Sequence, residues 1–327
     1  MLLNLIKYSS ISVISLSVLN PVFAADDATD TLVNIDLTPG LVSEVQSALP
    51  ESMDVNQEFL NPSYNPNIKL QNDAHIAVTF LDEGAGYRNS LGFITYSDNA
   101  FDGYSFGDID SDNTGYIGIN ELTALNNVDA GMIFNNVSEA GGGGSLLAGD
   151  TVVLGGAEIT NIQGTEFEML GGETFAEGTN VGFFLMQNGW DGSEVKGWDY
   201  EKSGQLAFYS VDFLNPENNA YATLNNTDEN ARHVAMMSLA SAENEIILGF
   251  EDLVRPYGDN DFNDAVFRIR TDPVSALFAE VPTTEEVISM QAAPLPAIGA
   301  GSSAALAFFF ALILILRKSA ARNVQYA

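Results

Sequence analysis

The alternation of apolar and polar positions changes period once along this chain. Residues 38–52, TPGLVSEVQSALPES, place Leu41, Val42, Val45, Ala48 and Leu49 on one face at helical spacing, which predicts a short amphipathic helix ending at Pro50. The next stretch, NPSYNPNIKLQND, has the proline and asparagine content of a connecting loop. From His75 onward the pattern shortens to HIAVTFL, SLGFITY, TVVL, VGFFLMQ, QLAFYSV, HVAMMSL, EIILGF and DAVFRIR, runs rich in aromatic and β-branched residues and separated by Gly, Asn and Asp. No helical segments alternate with these runs, so they predict a mostly β fold: an antiparallel β-sandwich, jelly-roll-like, over residues 70–271. The glycine-rich AGGGGSLLAGD at 140–150 reads as a loop, and no Lys-Ser/Thr follows it to cradle a phosphate.

The two ends follow other rules. Residues 1–24 join Lys7, an apolar run and a small-residue ending at Ala24, the pattern of a secretory signal peptide. Residues 25–69 then carry the helix and loop. Residues 298–316 hold no charge and are followed by Arg317, Lys318 and Arg322, which predicts a transmembrane helix with a basic cytoplasmic tail at 317–327. Between them, residues 272–297 read as an extended linker bearing Pro, Thr and Glu.

Charge sharpens this picture. All 44 acidic residues lie in residues 25–293, against 8 basic ones, a formal charge of −36. Such a field repels nucleic acid and attracts cations, although acidity also serves solubility alone. With no cysteine in 327 residues, an exported domain relies on its core or on bound metal, and calcium is a common substitute for disulfides.

Two stretches concentrate oxygen ligands. In DSDNTGYIGINEL the ligand and turn positions of a twelve-residue calcium loop fall on Asp110, Asp112, Thr114, Gly115, Tyr116, Ile117, Gly118 and Glu121 in their required order. Asp110, Asp112 and Thr114 offer side-chain oxygens, Tyr116 its carbonyl, and Glu121 both carboxylate oxygens. Gly115 permits the sharp turn, Ile117 points inward, and Gly118 leaves room for a water. Asp108 adds charge just before the loop, and a helix is expected from Leu122. The loop resembles that of an EF-hand without its entering helix, because FDGYSFGDI reads as loop or strand; the alternative is an Asx-rich turn. Three carboxylates at the ion predict a dissociation constant on the order of 10⁻⁵ to 10⁻³ M.

The second stretch, GFEDLVRPYGDNDFNDAVFRIR at 249–270, holds Glu251, Asp252, Asp259, Asp261, Asn263 and Asp264 between two strands. In an extended segment Asp259, Asp261 and Asn263 would share one side and repel without a cation or Arg255 between them; a hairpin turn is the plainer reading. The phrases GFEDL and GDNDFNDAVF resemble the signature of the domain of unknown function 4114 family of secreted and surface-attached bacterial proteins. AVTFLDEGAGYRNSLGFITY, LLAGDTVVLG and TNVGFFLMQNGWDG are also similar, so the resemblance spans about residues 70–271. It implies a β-sandwich with those six residues as the acidic motif. The ending APLPAIGAGSSAALAFFFALILILRKSAAR is similar to VPLPA-type C-terminal sorting signals of Gram-negative bacteria, with Ala293 where Val is usual.

Enzyme chemistry finds little footing. His75 and His233 are the only histidines, each within an apolar run, and HExxH, GxSxG and cysteine are absent. Trp190, Trp198, Tyr200 and Tyr209 could stack on sugar rings or fill the core. The expectation is a non-enzymatic, calcium-binding β-sandwich, exported and anchored at the cell surface or released, with a structural or adhesive role. Its partners would be calcium, the membrane through the C-terminal helix, and exopolysaccharide or surface proteins. A calcium-dependent polysaccharide-binding module is the alternative, and a glycosidase a more distant one.

Overall fold

The computed structural model describes residues 32–239 and 242–277. The expected signal peptide, membrane segment and basic tail, with all of the linker beyond Leu277, lie outside them. Among the described residues no helix is long and apolar enough to cross a membrane.

The described strands are β1 (Val33–Asn34), β2 (Ile68–Lys69), β3 (His75–Asp82), β4 (Ser90–Tyr96), β5 (Val128–Phe134), β6 (Asp150–Val153), β7 (Glu158–Gln163), β8 (Glu166–Leu170), β9 (Asn180–Met186), β10 (Ala207–Tyr209), β11 (Val234–Leu239), β12 (Ala242–Phe250) and β13 (Ala265–Asp272). They form a six-stranded sheet in the order β1-β6-β3-β13-β12-β11, a second sheet β10-β9-β4-β5 with β2 paired to β9, and the separate hairpin β7-β8. Every ladder between these strands is antiparallel. The mostly β, antiparallel expectation therefore holds, and all eight apolar runs read from the sequence carry strands.

The side-chain period of two builds the core between the sheets. Ile76, Val78 and Phe80 of β3, Ile246, Leu248 and Phe250 of β12, and Ala265, Phe267 and Ile269 of β13 face Leu91 and Phe93 of β4 and Val181, Phe183 and Leu185 of β9 in one buried cluster. Each such large apolar side chain contributes about 1.5–3 kcal/mol on burial. The second sheet is covered on its other face too. Ile94, Phe184, Met186 and Tyr209 pack under Phe101, Phe106, Ile109, Ile117, Ile119 and Leu122. That double covering explains why NVGFFLM is buried at all seven positions instead of alternating.

The six-stranded sheet is covered on its outer face by the β7-β8 hairpin, through Ala77, Val153 and Met169, and by helix α1 (Leu41–Ala48). The helix buries Leu41, Val45 and Ala48 as its spacing predicts. Gly249 of β12 admits it: a Cβ there would lie 2.6 Å from Leu49 Cδ1 and 2.2 Å from the Phe262 carbonyl oxygen. The segment read as N-terminal helix and loop thus also supplies β1 and β2 to the two sheets. At the other end, residues expected to begin an extended linker continue the core instead: Asp272 ends β13, and Ala276 and Leu277 are buried in the main cluster.

Candidate metal centres

The loop at 110–121 lies on the outer cover of the second sheet, held from both sides. Helix α2 (Phe106–Ile109) enters it and α3 (Ile119–Leu122) leaves it, each of one turn. The entering helix missing from the sequence reading is therefore present, because Phe106 and Ile109 both reach the apolar cover and Ser105 and Asp108 close a capping box. Asp108 accepts from Ser105 N at 2.8 Å and Ser105 Oγ at 2.6 Å, which commits it to the cap. The exit helix begins at Ile119, three residues before the expected Leu122. Ile117 is buried at 3 % exposure, and its carbonyl accepts from Tyr209 Oη at 2.6 Å.

Inside the loop the expected ligands converge. Asp110, Asp112 and Glu121 each offer an oxygen within 4.8 Å of the others. Thr114 Oγ1 donates to the Tyr116 carbonyl at 3.0 Å and lies 3.4 Å from Asp110 Oδ1, so both belong to the same group. The backbone already serves the carboxylates. Asp110 accepts from Thr114 N at 3.0 Å and Gly115 N at 2.9 Å, and Glu121 from Ser111 N at 2.6 Å and Gly118 N at 2.9 Å. Gly115 has φ +83°, the left-handed turn expected of it. Burial, then the neighbouring Asp112 and Glu121, raises the Asp110 carboxyl above its ordinary range, with the Gly115 and Thr114 amides opposing.

The second stretch is folded differently from the extended strand considered above. Asn260 and Phe262 have φ of 57° and 59°, so the chain winds through two left-handed residues and Asp259, Asp261 and Asn263 do not form one row. The six expected residues divide. Glu251, Asp252 and Asp264, all buried, bring carboxylate oxygens within 4.8 Å of one another. Asp259 and Asp261 instead gather with Glu51, from just beyond α1. Asn263 lies at the second group, its Nδ2 donating to Glu51 Oε2 at 3.0 Å. Glu51 is 208 positions from Asp259, and nothing local in the sequence marks it as a partner.

The buried triad is short of donors. Asp252 accepts from Asn89 Nδ2 at 2.6 Å, Asp264 from Asp252 N at 2.7 Å, and Glu251 Oε1 from Leu253 N at 3.2 Å. Glu251 Oε2 is buried with no hydrogen-bond partner. Among the described residues no Lys or Arg forms an ion pair with any of the three. Burial first, then the surrounding carboxylates, pushes Asp252 up to about 6, Glu251 to about 8 and Asp264 to about 10. At roughly 4.5 Å and an effective dielectric near 20, two carboxylates repel by about 4 kcal/mol. Three ionised carboxylates at this spacing thus require a cation; otherwise protons neutralise them.

Arg255, considered as the neutralising charge, is engaged elsewhere: its Nε donates to Asn260 Oδ1 at 2.9 Å and its Nη1 to the Arg232 carbonyl at 2.8 Å. His233 is fully buried, stacked on Phe208 at 4.2 Å, with Nδ1 2.9 Å from the Glu251 carbonyl and Nε2 3.0 Å from Glu217 Oε1. His75 Nδ1 lies 3.1 Å from the Glu173 carbonyl. Tyr209 is fully buried, and Trp198 packs edge-on against Phe184 at 6.2 Å, within the cover. Among the described residues the most exposed tyrosines are Tyr221 and Tyr257, each 89 % exposed.

The β12-β13 loop with its glycine, its buried carboxylates and its flanking strands matches a recorded pattern. Residues 175–272 match the family model described as domain of unknown function (DUF4114). The matched segment runs from before β9 through β13 and takes in the whole of the acidic stretch, shorter on its N-terminal side than the resemblance read from about residue 70. The loop at 110–121 and Glu51 lie outside it. No curated protein and no solved structure matches the chain.

Proposed function

We propose that this chain is a non-enzymatic, calcium-stabilised β-sandwich, exported by a bacterium and held at the cell surface or released, with a structural or adhesive role. The observation that carries the reading is the triad Glu251, Asp252 and Asp264: three buried carboxylates that, among the described residues, make no ion pair with Lys or Arg, one oxygen of which lacks any hydrogen-bond partner. An all-oxygen donor set is the chemistry of a hard divalent cation, and the two buried carboxylates of the loop at 110–121 with exposed Asp112 repeat it. The ion would supply the positive charge that lets these groups ionise in place. Glu251, Asp252 and Asp264 would hold one ion, and Asp110, Asp112, Thr114, Tyr116 and Glu121 another.

Calcium at about 100 times its dissociation constant adds roughly 2.7 kcal/mol per site to the native state. For a domain of this size a kilocalorie shifts the melting temperature by about 2–4 °C. Chelation of two sites should therefore lower the melting temperature of the full-length chain by about 10–20 °C. A calorimetric titration without calcium binding, together with a melting temperature indifferent to chelator, would remove the reading.

A calcium-dependent polysaccharide-binding role is favoured by one specific observation. Tyr221 lines a cleft of about 440 Å³ together with Asp110, Thr114 and Gly115, and Tyr257 precedes Asp259 by two residues. Each exposed ring thus stands beside an acidic group, where a sugar face could stack while its hydroxyls approach the ion. Retention on the producing cell's exopolysaccharide in calcium, lost in Tyr221→Ala or Tyr257→Ala, is the expected result; equal retention in both variants would exclude these rings.

A further inference from the structure

The group formed by Glu51, Asp259 and Asp261 is separate from the buried triad, and its members are far apart in sequence. Asp261 is 1 % exposed, whereas Glu51 and Asp259 stand at the surface. Ser52 N donates to Asp261 Oδ2 at 2.8 Å and Val55 N to the Asn260 carbonyl at 2.9 Å, so the chain leaving α1 runs along the β12-β13 loop. Among the described residues no Lys or Arg forms an ion pair with Glu51, Asp259 or Asp261.

An independent observation points into this group. Asn263 is 6 % exposed, and its Oδ1 is buried without a hydrogen-bond partner. Gly84 locates that atom: an added Cβ would lie 2.3 Å from Asn263 Oδ1 and 2.5 Å from Glu51 Oε2. The two oxygens therefore lie close together against Gly84. An orphaned amide oxygen next to crowded carboxylates is the arrangement in which a cation supplies the missing partner.

We propose that Glu51, Asp259, Asp261 and the Asn263 side-chain oxygen form a third cation site, which latches the N-terminal arm onto the β12-β13 loop. This rests on the calcium reading of the neighbouring triad and adds to it a specific task. The ion there joins a segment outside the matched family region to the acidic motif inside it, so that docking of α1 on the six-stranded sheet depends on calcium. Its exposed side, formed by Glu51 and Asp259, leaves room for water in the coordination shell.

Hydrogen exchange on the full-length chain, with calcium chloride or with chelator, tests the latch. At calcium about ten times the dissociation constant, opening of the arm should slow about tenfold. Amides of residues 41–52 should show this slowing, and both Glu51→Gln and Asp259→Asn should abolish it. In the same samples calcium should still protect residues 110–121 equally in the wild type and both variants. Protection of 41–52 that survives Glu51→Gln overturns the latch, as does an arm indifferent to calcium while 110–121 and 251–264 respond. No protection in any of the three segments removes the calcium reading and the latch together.

Discussion

The loop at 110–121 and the loop joining β12 to β13 both gather three carboxylates within 4.8 Å, yet they hold them in opposite ways. In the first, ligands and supporting amides come from twelve consecutive residues, and the loop's own N–H groups reach Asp110 and Glu121. In the second, Glu251, Asp252 and Asp264 are brought together by two strands of the main sheet and receive few donors, with Glu251 Oε2 receiving none. The first is held in place by its own backbone donors. The second is balanced electrostatically only when something positive enters, whether an ion or protons. A cluster's count of acids therefore says less about its need for metal than the count of donors already committed to it.

The largest expected consequence of this difference lies in the pH dependence of stability. The folded state raises Asp252 to about 6, Glu251 to about 8 and Asp264 to about 10, above their unfolded values near 4. A group raised in this way contributes stability that is complete below the unfolded value and is lost as pH climbs through the folded one. In chelator the melting temperature should accordingly rise by several degrees as pH is lowered from about 9 to about 5. In excess calcium the slope should reverse, because protons now compete with the ion for the same oxygens. Thermal scans across that range, in both conditions, check the sign. Parallel slopes would show that the triad does not exchange protons for metal. The same scan in Glu251→Gln separates the triad from the general relief of a −32 charge on acidification, since only the local part should flatten.

The two regions also differ in how far they could be read without coordinates. The conformation of the loop at 110–121 was legible almost completely, since its turn at Gly115 and its inward Ile117 are set by neighbours in sequence. Its entering turn was missed because FDGYSFGDI is too short for a helical period to show, and tertiary packing of Phe106 and Ile109 decides it. The strands of the central ladders announced themselves by long apolar runs. Those missed were the two-residue strands β1 and β2, β5, an edge strand interrupted by Asp129 and Gly131, and the hairpin β7-β8, whose EITNIQ and EFEML are largely exposed and polar. The acidic stretch at 251–264 was legible as a concentration of ligands, but its division was not. Left-handed Asn260 and Phe262 undo the two-residue alternation, and Glu51 arrives from across the fold through the packing of Leu49 against Gly249.

A smaller effect, confined to single residues, sharpens the contrast by a difference of sign. Glu251→Gln removes a charge that has one backbone donor and two carboxylate neighbours, and the amide retains an acceptor for Leu253 N. Glu121→Gln removes a carboxylate whose two oxygens accept from Ser111 N and Gly118 N, and turns an amide nitrogen toward one of those donors. In chelator at about pH 9, where the triad is driven to ionise, Glu251→Gln should stabilise by about 1–3 kcal/mol and Glu121→Gln should destabilise by a similar amount. In calcium both should destabilise, since each removes a ligand oxygen's charge. Paired melting curves read this directly, as a shift of a few degrees up for the one and down for the other. If Glu251→Gln lowers the melting temperature in chelator as well, the triad is already satisfied without an ion, and the distinction between a prepared loop and an ion-dependent one fails.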